Sequence, residues 1–222
     1  MTGRAALLAR GEAIARDPIK RAFDIAFACA GLIVTSPLSL AAAIAIKADS
    51  RGPVFYAQER SGLDGQPFTA WKYRSMVADA DRDGARQAVP GDPRVTRVGR
   101  LLRATAIDEV PQLWNILRGD MSVVGPRALR PGEIERSAAG GAPEPLEAVS
   151  GFDIRSAVRP GLTGIAQIYA RRDLPRRQKF RYDRLYLRRQ SASLDLRLVL
   201  LSLAITLVGS WERRGRTHRG IH

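Results

Sequence analysis

The hydropathy pattern is dominated by one run, Ile25 to Ile46 (IAFACAGLIVTSPLSLAAAIAI), 22 residues without a charge. About 20 apolar residues suffice for a helix to cross a ~30 Å hydrocarbon core. Two features argue against a simple crossing. Lys20 and Arg21 precede the run and Lys47 and Arg51 follow it, so the bias of basic residues toward the cytoplasm gives both ends the same address. Ser36-Pro37 stands at its middle, where proline removes a backbone donor and crowds the preceding turn. The pattern predicts a re-entrant helix-break-helix, two arms of roughly ten residues and ~15 Å each that enter one leaflet and return. The Ser36 hydroxyl is placed to re-satisfy freed backbone groups. A helix buried in a soluble core and a plain spanning helix are the alternatives.

Elsewhere the periodicity is shorter. Residues 1–16 set Leu7, Leu8 and Ile14 among arginines, which predicts a short amphipathic helix on a membrane surface, or a loose tail. Val54 to Tyr56, the turn-rich SGLDGQ and Phe68 to Tyr73 predict a β-hairpin between Pro53 and Met76. Asp79 to Pro93 is polar and loop-like. Val98 to Arg103 leads into a helix placed from about Asp108 to Leu117, and Ser137 to Ser150 reads as a mobile connection. From Arg171 to Arg189, nine basic and two acidic residues interleave with Phe180, Tyr182, Leu185, Tyr186 and Leu187. On a helix this makes a basic and an aromatic face suited to an anionic interface, where each basic group contributes on the order of 1 kcal/mol. Nucleic acid is the competing partner. Leu198 to Trp211 is apolar but, at about 14 residues, too short to cross a bilayer; it predicts a core or interfacial helix.

Charge narrows the partners. Thirty-six Lys and Arg against 22 Asp and Glu give +14, which points to nucleic acid, acidic phospholipid or phosphorylated small molecules. The single cysteine, Cys29, precludes an intrachain disulfide and fits a reducing compartment. The apolar run lies too deep in the chain and is too long for a signal peptide. Both histidines, His218 and His222, lie in the basic tail, so imidazole catalysis and histidine metal sites are not expected.

The candidate chemistry centres on the adjacent carboxylates Asp108 and Glu109, with Arg103 and Thr105 before them and Pro111 after. Acidic residues at a helix start can simply complement the macrodipole. A helix start among arginines is also where phosphate binds, and aspartate attack on phosphorus splits one hard transfer into two easier ones. Bringing two anions together calls for Arg or Lys clamps and a divalent metal, with Mg²⁺ the choice for carboxylate and phosphate oxygens. Asp79 to Gly84 imitates the start of an EF-hand loop, but the twelfth position is Pro90 instead of glutamate. Asp79 and Asp81 also match the short Asp-x-Asp pattern of many nucleotide-sugar glycosyltransferases, a pattern common in solvated acidic loops. P-loop and Gly-x-Gly-x-x-Gly motifs are absent from the sequence. Arg127 in VGPRAL and Arg159 in VRPGLTG sit beside Gly and Pro that shape tight turns open to a ligand; exposed loop charges are the plain alternative.

Three stretches, QERSGLDGQPFTAWKYRSM at 58–76, AIDEVPQLWNILRGDMSVVGPR at 106–127 and RPGLTGIAQ at 159–167, together resemble the bacterial sugar transferases that are monotopic polyprenyl-phosphate phosphoglycosyl transferases. The resemblance implies the short, single-module form. It implies an α+β fold, mostly helical with a small β-hairpin, an N-terminal re-entrant membrane helix-break-helix and interfacial amphipathic helices. The corresponding division is 1–18 amphipathic segment, 19–49 re-entrant hairpin, 50–210 cytoplasmic catalytic domain and 211–222 basic tail. Asp108 matches the family nucleophile, which takes the phosphosugar from a UDP-sugar and releases UMP before polyprenyl phosphate attacks the intermediate; it is also the expected Mg²⁺ ligand. Glu109 matches its dyad partner. Arg103, Lys72, Arg74, Arg127, Arg159, Gln167 and Arg171 match phosphate- or nucleotide-binding positions, and Lys20, Arg21, Asp24, Ser36 and Pro37 match the membrane hairpin and its cytoplasmic flank. The implied setting is the cytoplasmic face of the bacterial inner membrane, with anionic phospholipid in contact, a homodimer compatible and no nucleic acid. The sequence departs from the family pattern at Ala106, Ala128 and Ile165, where serine, proline and tryptophan are usual; without the serine, Thr105 is the remaining capping hydroxyl. A non-catalytic basic binding module and a Leloir-type glycosyltransferase are the rival readings.

Overall fold

Two helices open the chain, α1 (Gly3–Ala15) and α2 (Pro18–Asp49). The structure is a computed structural model and describes residues 3–80, 91–135, 144–171 and 174–208. Asp17 caps α2 by accepting from the Ile19 and Lys20 amides at 2.8 and 3.3 Å, with Pro18 at the first helical position, where its missing N–H does no harm. The expected break does not divide the segment. Pro37 lies inside one helix of 32 residues, roughly 48 Å long at ~1.5 Å per residue. Proline offers no amide to the Ile33 carbonyl, and the Ser36 hydroxyl donates to that oxygen at 2.8 Å instead, while the Thr35 hydroxyl donates to Gly31 O at 2.7 Å. The Ser36 hydroxyl supplies the donor that the proline removes, and the helix continues.

Only Asp24, Ala28, Ala42 and Ile46 of α2 are buried, and just 11% of its most apolar 18-residue window is covered. A helix inside a soluble core would be covered all round, so that alternative falls. Lys20, Arg21 and Asp24, placed by the resemblance on the cytoplasmic flank of the apolar run, join α2 to the rest of the protein. Lys20 Nζ donates to Val124 O at 3.1 Å and pairs with Asp195 at 2.9 Å, their side chains only 8% and 4% exposed. Arg21 donates to Ile116 O and Leu117 O at 2.6 and 2.7 Å. Asp24 accepts from Ser122 Oγ at 3.0 Å and the Val123 amide at 2.9 Å. At the other end, Ala42 and Ile46 pack with Tyr73 and Leu102.

The hairpin forms as expected: β1 (Phe55–Ser61) and β2 (Pro67–Tyr73) pair antiparallel from Phe55↔Tyr73 to Ser61↔Pro67, turning through Asp64 and Gly65 at φ 52° and 75°. Next come α3 (Arg97–Ala104), α4 (Gln112–Arg118) and β3 (Ser122–Val124), then the short antiparallel pair β4 (Ile134–Glu135) and β5 (Glu144–Pro145). After α5 (Phe152–Ser156), strand β6 (Gly161–Thr163) pairs parallel with β3; α6 (Ile165–Tyr169), α7 (Arg176–Arg189) and α8 (Ala192–Val208) complete the chain's described elements. The core surrounds β3 and β6, gathering Leu7 and Ile14, Leu113 and Ile116, Val123 and Val124, Tyr186 and Leu187, and Leu198 and Val199.

That core overturns several surface expectations. The apolar positions of α1 face inward, not toward a membrane, with Gly11 so near α5 that a Cβ would lie 2.6 Å from Ala157 Cβ. The aromatic face of α7 is largely internal: Tyr186 and Leu187 are buried in the core around β3 and Phe180 beside Leu129, Leu146 and Val149, which takes their apolar area out of water, while Leu185 stays exposed. Residues 137–143 of the expected mobile connection lie outside the described residues, but Leu146 and Val149 near its end are buried. On α8, Leu198, Val199 and Ile205 face the core while Leu196, Leu200 and Leu203 are exposed. Trp211 and the basic tail lie outside the described residues.

Lys20→Met leaves the Asp195 carboxylate buried without its cation, and removing one partner of such a pair costs about 3–5 kcal/mol. Chemical denaturation in detergent micelles should register that loss, whereas Lys47→Met at the exposed far end of α2 should stay within about 0.5 kcal/mol of the parent.

Candidate active site

The carboxylates lie on a turn created by backbone reversal. The Thr105 hydroxyl donates back to Leu101 O and Leu102 O at 2.8 and 3.2 Å, so it closes α3 and does not cap the next turn. Ala106 then adopts φ 57°, ψ 15°, a left-handed conformation that costs a non-glycine residue roughly 1–2 kcal/mol. Ile107–Glu109 form a 3₁₀ turn without a side-chain cap, and α4 starts only at Gln112. The helix expected from Asp108 therefore begins four residues later. Gly119, at φ 92°, ends α4.

Glu109 is the electrostatic hub. Its Oε1 accepts from Lys72 Nζ at 2.6 Å and from Arg127 Nη2 at 3.2 Å. Burial alone would raise its pKa, but Lys72 and Arg127 outweigh burial and bring it down to about 2. Glu109 in turn raises the Arg127 pKa against burial. Asp108, half-buried, makes no hydrogen bond or ion pair among the described residues. Burial first, and then the Glu109 charge, push it up to about 6 against the pull of Lys72, Arg103 and Arg127. One carboxylate is thus spent on cations and its neighbour is left available, a division typical of groups with separate chemical tasks.

Arg127 follows β3 at a point where the chain runs tight against the start of β6. A Cβ on Gly161 would lie 2.0 Å from Gly125 N, so only glycine permits the Gly161 amide to donate to Pro126 O at 2.8 Å. The resulting cleft is lined by Arg60, Lys72, Glu109, Gln112, Arg127 and Gly161, among others. Gln167 is not among the lining residues; its amide nitrogen is 3.5 Å from the Gly161 carbonyl, and its buried Oε1 has no hydrogen-bond partner among the described residues.

The structure thus unites Asp108, Glu109, Lys72 and Arg127, with Arg103 acting through its charge. Two expected ligand-binding arginines are not there. Arg74 donates to Arg51 O at 2.8 Å and to Ser50 O at 2.7 Å, and Arg159 donates to Gly119 O at 2.9 Å and Ala15 O at 2.6 Å. Both satisfy carbonyls at helix ends, where cations also complement the dipole. Arg171 is exposed just beyond α6. Of the short acidic pattern, Asp81 lies outside the described residues.

Arg60 was missed. It lines the cleft, and burial together with Arg127 and Arg130 lowers its pKa to about 10. The signal was present in the alternation of β1, where Tyr56, Gln58 and Arg60 face inward between the exposed Phe55, Ala57 and Glu59. Period-2 reading from Tyr56, the register partner of Lys72, puts Arg60 on the same face.

Residues 15–209 match the model for bacterial sugar transferases. The chain belongs to that family. Similar bacterial sugar transferases include a UDP-glucose:undecaprenyl-phosphate glucose-1-phosphate transferase of Klebsiella pneumoniae, 42% identical over 83% of this chain and 39% of that protein. A UDP-N-acetylgalactosamine-undecaprenyl-phosphate N-acetylgalactosaminephosphotransferase of Aeromonas hydrophila is 38% identical over 88% of this chain and 45% of its own length. The exopolysaccharide production protein PSS of Rhizobium leguminosarum bv. phaseoli is 42% identical over 82% of this chain and 91% of that protein. The chain spans less than half of the first two and nearly all of the third.

Ala106→Gly relieves the left-handed strain but adds freedom to the unfolded chain, so a net gain of about 0.5–1 kcal/mol is expected in a denaturant titration. Ala106→Val, β-branched at positive φ, should lose more than about 1 kcal/mol in the same titration.

Proposed function

We propose that this family member transfers a sugar 1-phosphate from a UDP-sugar to polyprenyl (undecaprenyl) phosphate, releasing UMP, through a covalent phosphosugar on Asp108. The observation that carries the reading is the unequal state of the two carboxylates: Glu109 neutralised by Lys72 and Arg127, Asp108 beside it unengaged and about 6 in pKa. The names of the Klebsiella and Aeromonas relatives, which specify undecaprenyl phosphate and UDP-linked sugars, support the same substrates here.

In this scheme an Asp108 oxygen attacks the phosphorus that bears the sugar. The bond to the bridging oxygen breaks, and UMP leaves with that oxygen. An oxygen of polyprenyl phosphate then attacks the same phosphorus, giving the diphosphate-linked sugar and restoring the carboxylate. Lys72, Arg127, Arg103 and Arg60 offset the charge of the incoming diphosphate. Near pH 7 an aspartate with pKa about 6 is mostly ionised yet more basic than an ordinary carboxylate, which favours attack. Mg²⁺ would fit as a substrate-bridged ion. The described residues contain no group of three or more His, Cys, Asp or Glu that could cage a metal, but Mg²⁺ commonly takes one or two carboxylates plus phosphate oxygens. Asp108 would hold it with the donor diphosphate, where the ion neutralises phosphate charge.

The membrane reading is monotopic. Both ends of α2 are fastened to the same folded body, at Lys20, Arg21 and Asp24 and again at Ala42 and Ile46. Between them Ile33, Val34, Leu38 and Leu40 are exposed around Ser36-Pro37. A helix tied to one body at both ends dips its middle into one leaflet without carrying polar surface through the core. The exposed Leu196, Leu200 and Leu203 of α8 add apolar surface for the same leaflet, and the net charge of +14 favours anionic phospholipid at the cytoplasmic face. The chain then catalyses the first membrane step of exopolysaccharide, capsule, O-antigen or related glycan assembly.

A panel of UDP-sugars with detergent-solubilised polyprenyl phosphate tests the reading by nucleotide product. UMP is expected; UDP would indicate a Leloir transferase, and neither nucleotide would indicate a binding module. Asp108→Asn should abolish UMP release while membrane sedimentation stays unchanged, and substantial turnover by this variant would refute the assigned nucleophile. The wild-type rate should rise about tenfold per pH unit below ~6 and level off above it, since the attacking form is the carboxylate. Lys72→Met removes a cation that lowers the Asp108 pKa, so its rate profile should shift to higher pH; a shift to lower pH would contradict the electrostatic assignment.

A further inference from the structure

The segment that presents Arg127 is gripped at four successive carbonyls. Pro126 O accepts from the Gly161 amide at 2.8 Å, and Leu129 O accepts from the Ser61 amide at 2.9 Å. The two between them accept from guanidiniums: Ala128 O from Arg60 Nη1 at 3.1 Å, and Arg127 O from Arg155 Nη2. Arg60 belongs to the cleft. Arg155 does not. It lies on α5, where its Nε donates to Asp183 of α7 at 2.9 Å, with side-chain exposures of 5% and 4%, and its guanidinium lies 5.1 Å from the Phe180 ring centroid.

A buried ion pair is seldom a better way to join two helices than two apolar side chains, because desolvation offsets most of the attraction. This one does something an apolar pair could not. Asp183 holds one edge of a planar fork, and the orientation of the other edge, which meets Arg127 O, is set by it. We propose that Arg155, locked by Asp183, is a positioning residue that fixes the backbone from which Arg127 reaches Glu109. Neither Arg155 nor Asp183 lines the cleft; their influence passes through the Arg127 carbonyl. The consequence for turnover rests on the transferase reading above, whereas the consequence for the segment's order does not.

Arg155→Lys separates positioning from folding. Lysine keeps the positive charge beside Asp183, but a single ammonium cannot reproduce a fork aimed at two acceptors. Hydrogen–deuterium exchange of peptides covering 125–130 should quicken by about tenfold or more, with the melting transition close to that of the parent. For UMP release, kcat should fall about 10–100-fold, as small misplacements near a reacting centre do, with donor KM within about threefold. In an Arg127→Ala background the same change should cost less than about twofold, since the group it positions is gone. Asp183→Asn, which retains an acceptor for Nε, should keep kcat within about threefold, and Asp183→Leu should reproduce the Arg155→Lys loss; this second pair decides the matter if Arg155→Lys folds poorly. Unchanged exchange at 125–130, parental kcat in Arg155→Lys, or an equal loss with and without Arg127 would each overturn the proposal. A wild-type protein that releases no UMP would sink the transferase reading and leave the exchange result to judge the positioning role by itself.

Discussion

One carboxylate oxygen, Glu109 Oε1, draws together three pieces of chain that are distant in sequence. Lys72 comes from the hairpin, Arg127 from the segment after β3, and Glu109 from the 3₁₀ turn after α3. In a medium of lower dielectric than water, each of these charges would be costly without the others. Together they make an ionised, neutralised cluster, and the second carboxylate, Asp108, is left beside it without a partner of its own among the described residues. The identity of the two acidic residues does not separate their tasks. The separation comes from which of them the cations reach.

The body that carries this cluster is itself fastened to α2 by buried polar contacts. Lys20 with Asp195, Asp24 with Ser122 and Val123, and Arg21 with the end of α4 attach the long helix to β3, α8 and α4, the elements that also surround the site. Hydrophobic contact alone would leave a long apolar helix free to rotate or slide, because such contact is non-directional. Directed hydrogen bonds fix rotation and register, and so the height of the cleft relative to the exposed apolar middle of α2. The same directional logic recurs at the four gripped carbonyls of 126–129, where two backbone amides and two guanidiniums hold the segment that aims Arg127.

Several arginines serve here as an internal scaffold. Arg21, Arg74 and Arg159 satisfy carbonyls at helix ends, and Arg155 holds a loop carbonyl. A strongly basic composition suggests anionic partners, yet part of this charge is taken up by the protein's own backbone. What separates Arg127 from Arg74 is therefore not its residue type or its motif but the acceptor nearest to it.

Local chemistry was legible from residue order. The uncharged run of α2, the hairpin around SGLDGQ and the pairing of Asp108 with Glu109 are written in short-range periodicity and composition, and the Ser36 hydroxyl beside Pro37 was recognisable as the group that could satisfy the freed carbonyl. The inward face shared by Lys72 and Arg60 was present in the alternation as well, though Arg60 passed unnoticed. Tertiary structure alone decided the parallel pairing of β3 with β6, whose strands are separated by nearly forty residues, and it turned the apolar faces of α1 and α7 inward. It also decided which arginines meet Glu109 and which cap helices, and it left Ala106 in a left-handed turn that displaced the start of α4. Periodicity reports which face of an element is apolar, but not what that face will meet. A cation's role depends on the acceptors within about 3 Å, and those are brought there by long-range packing.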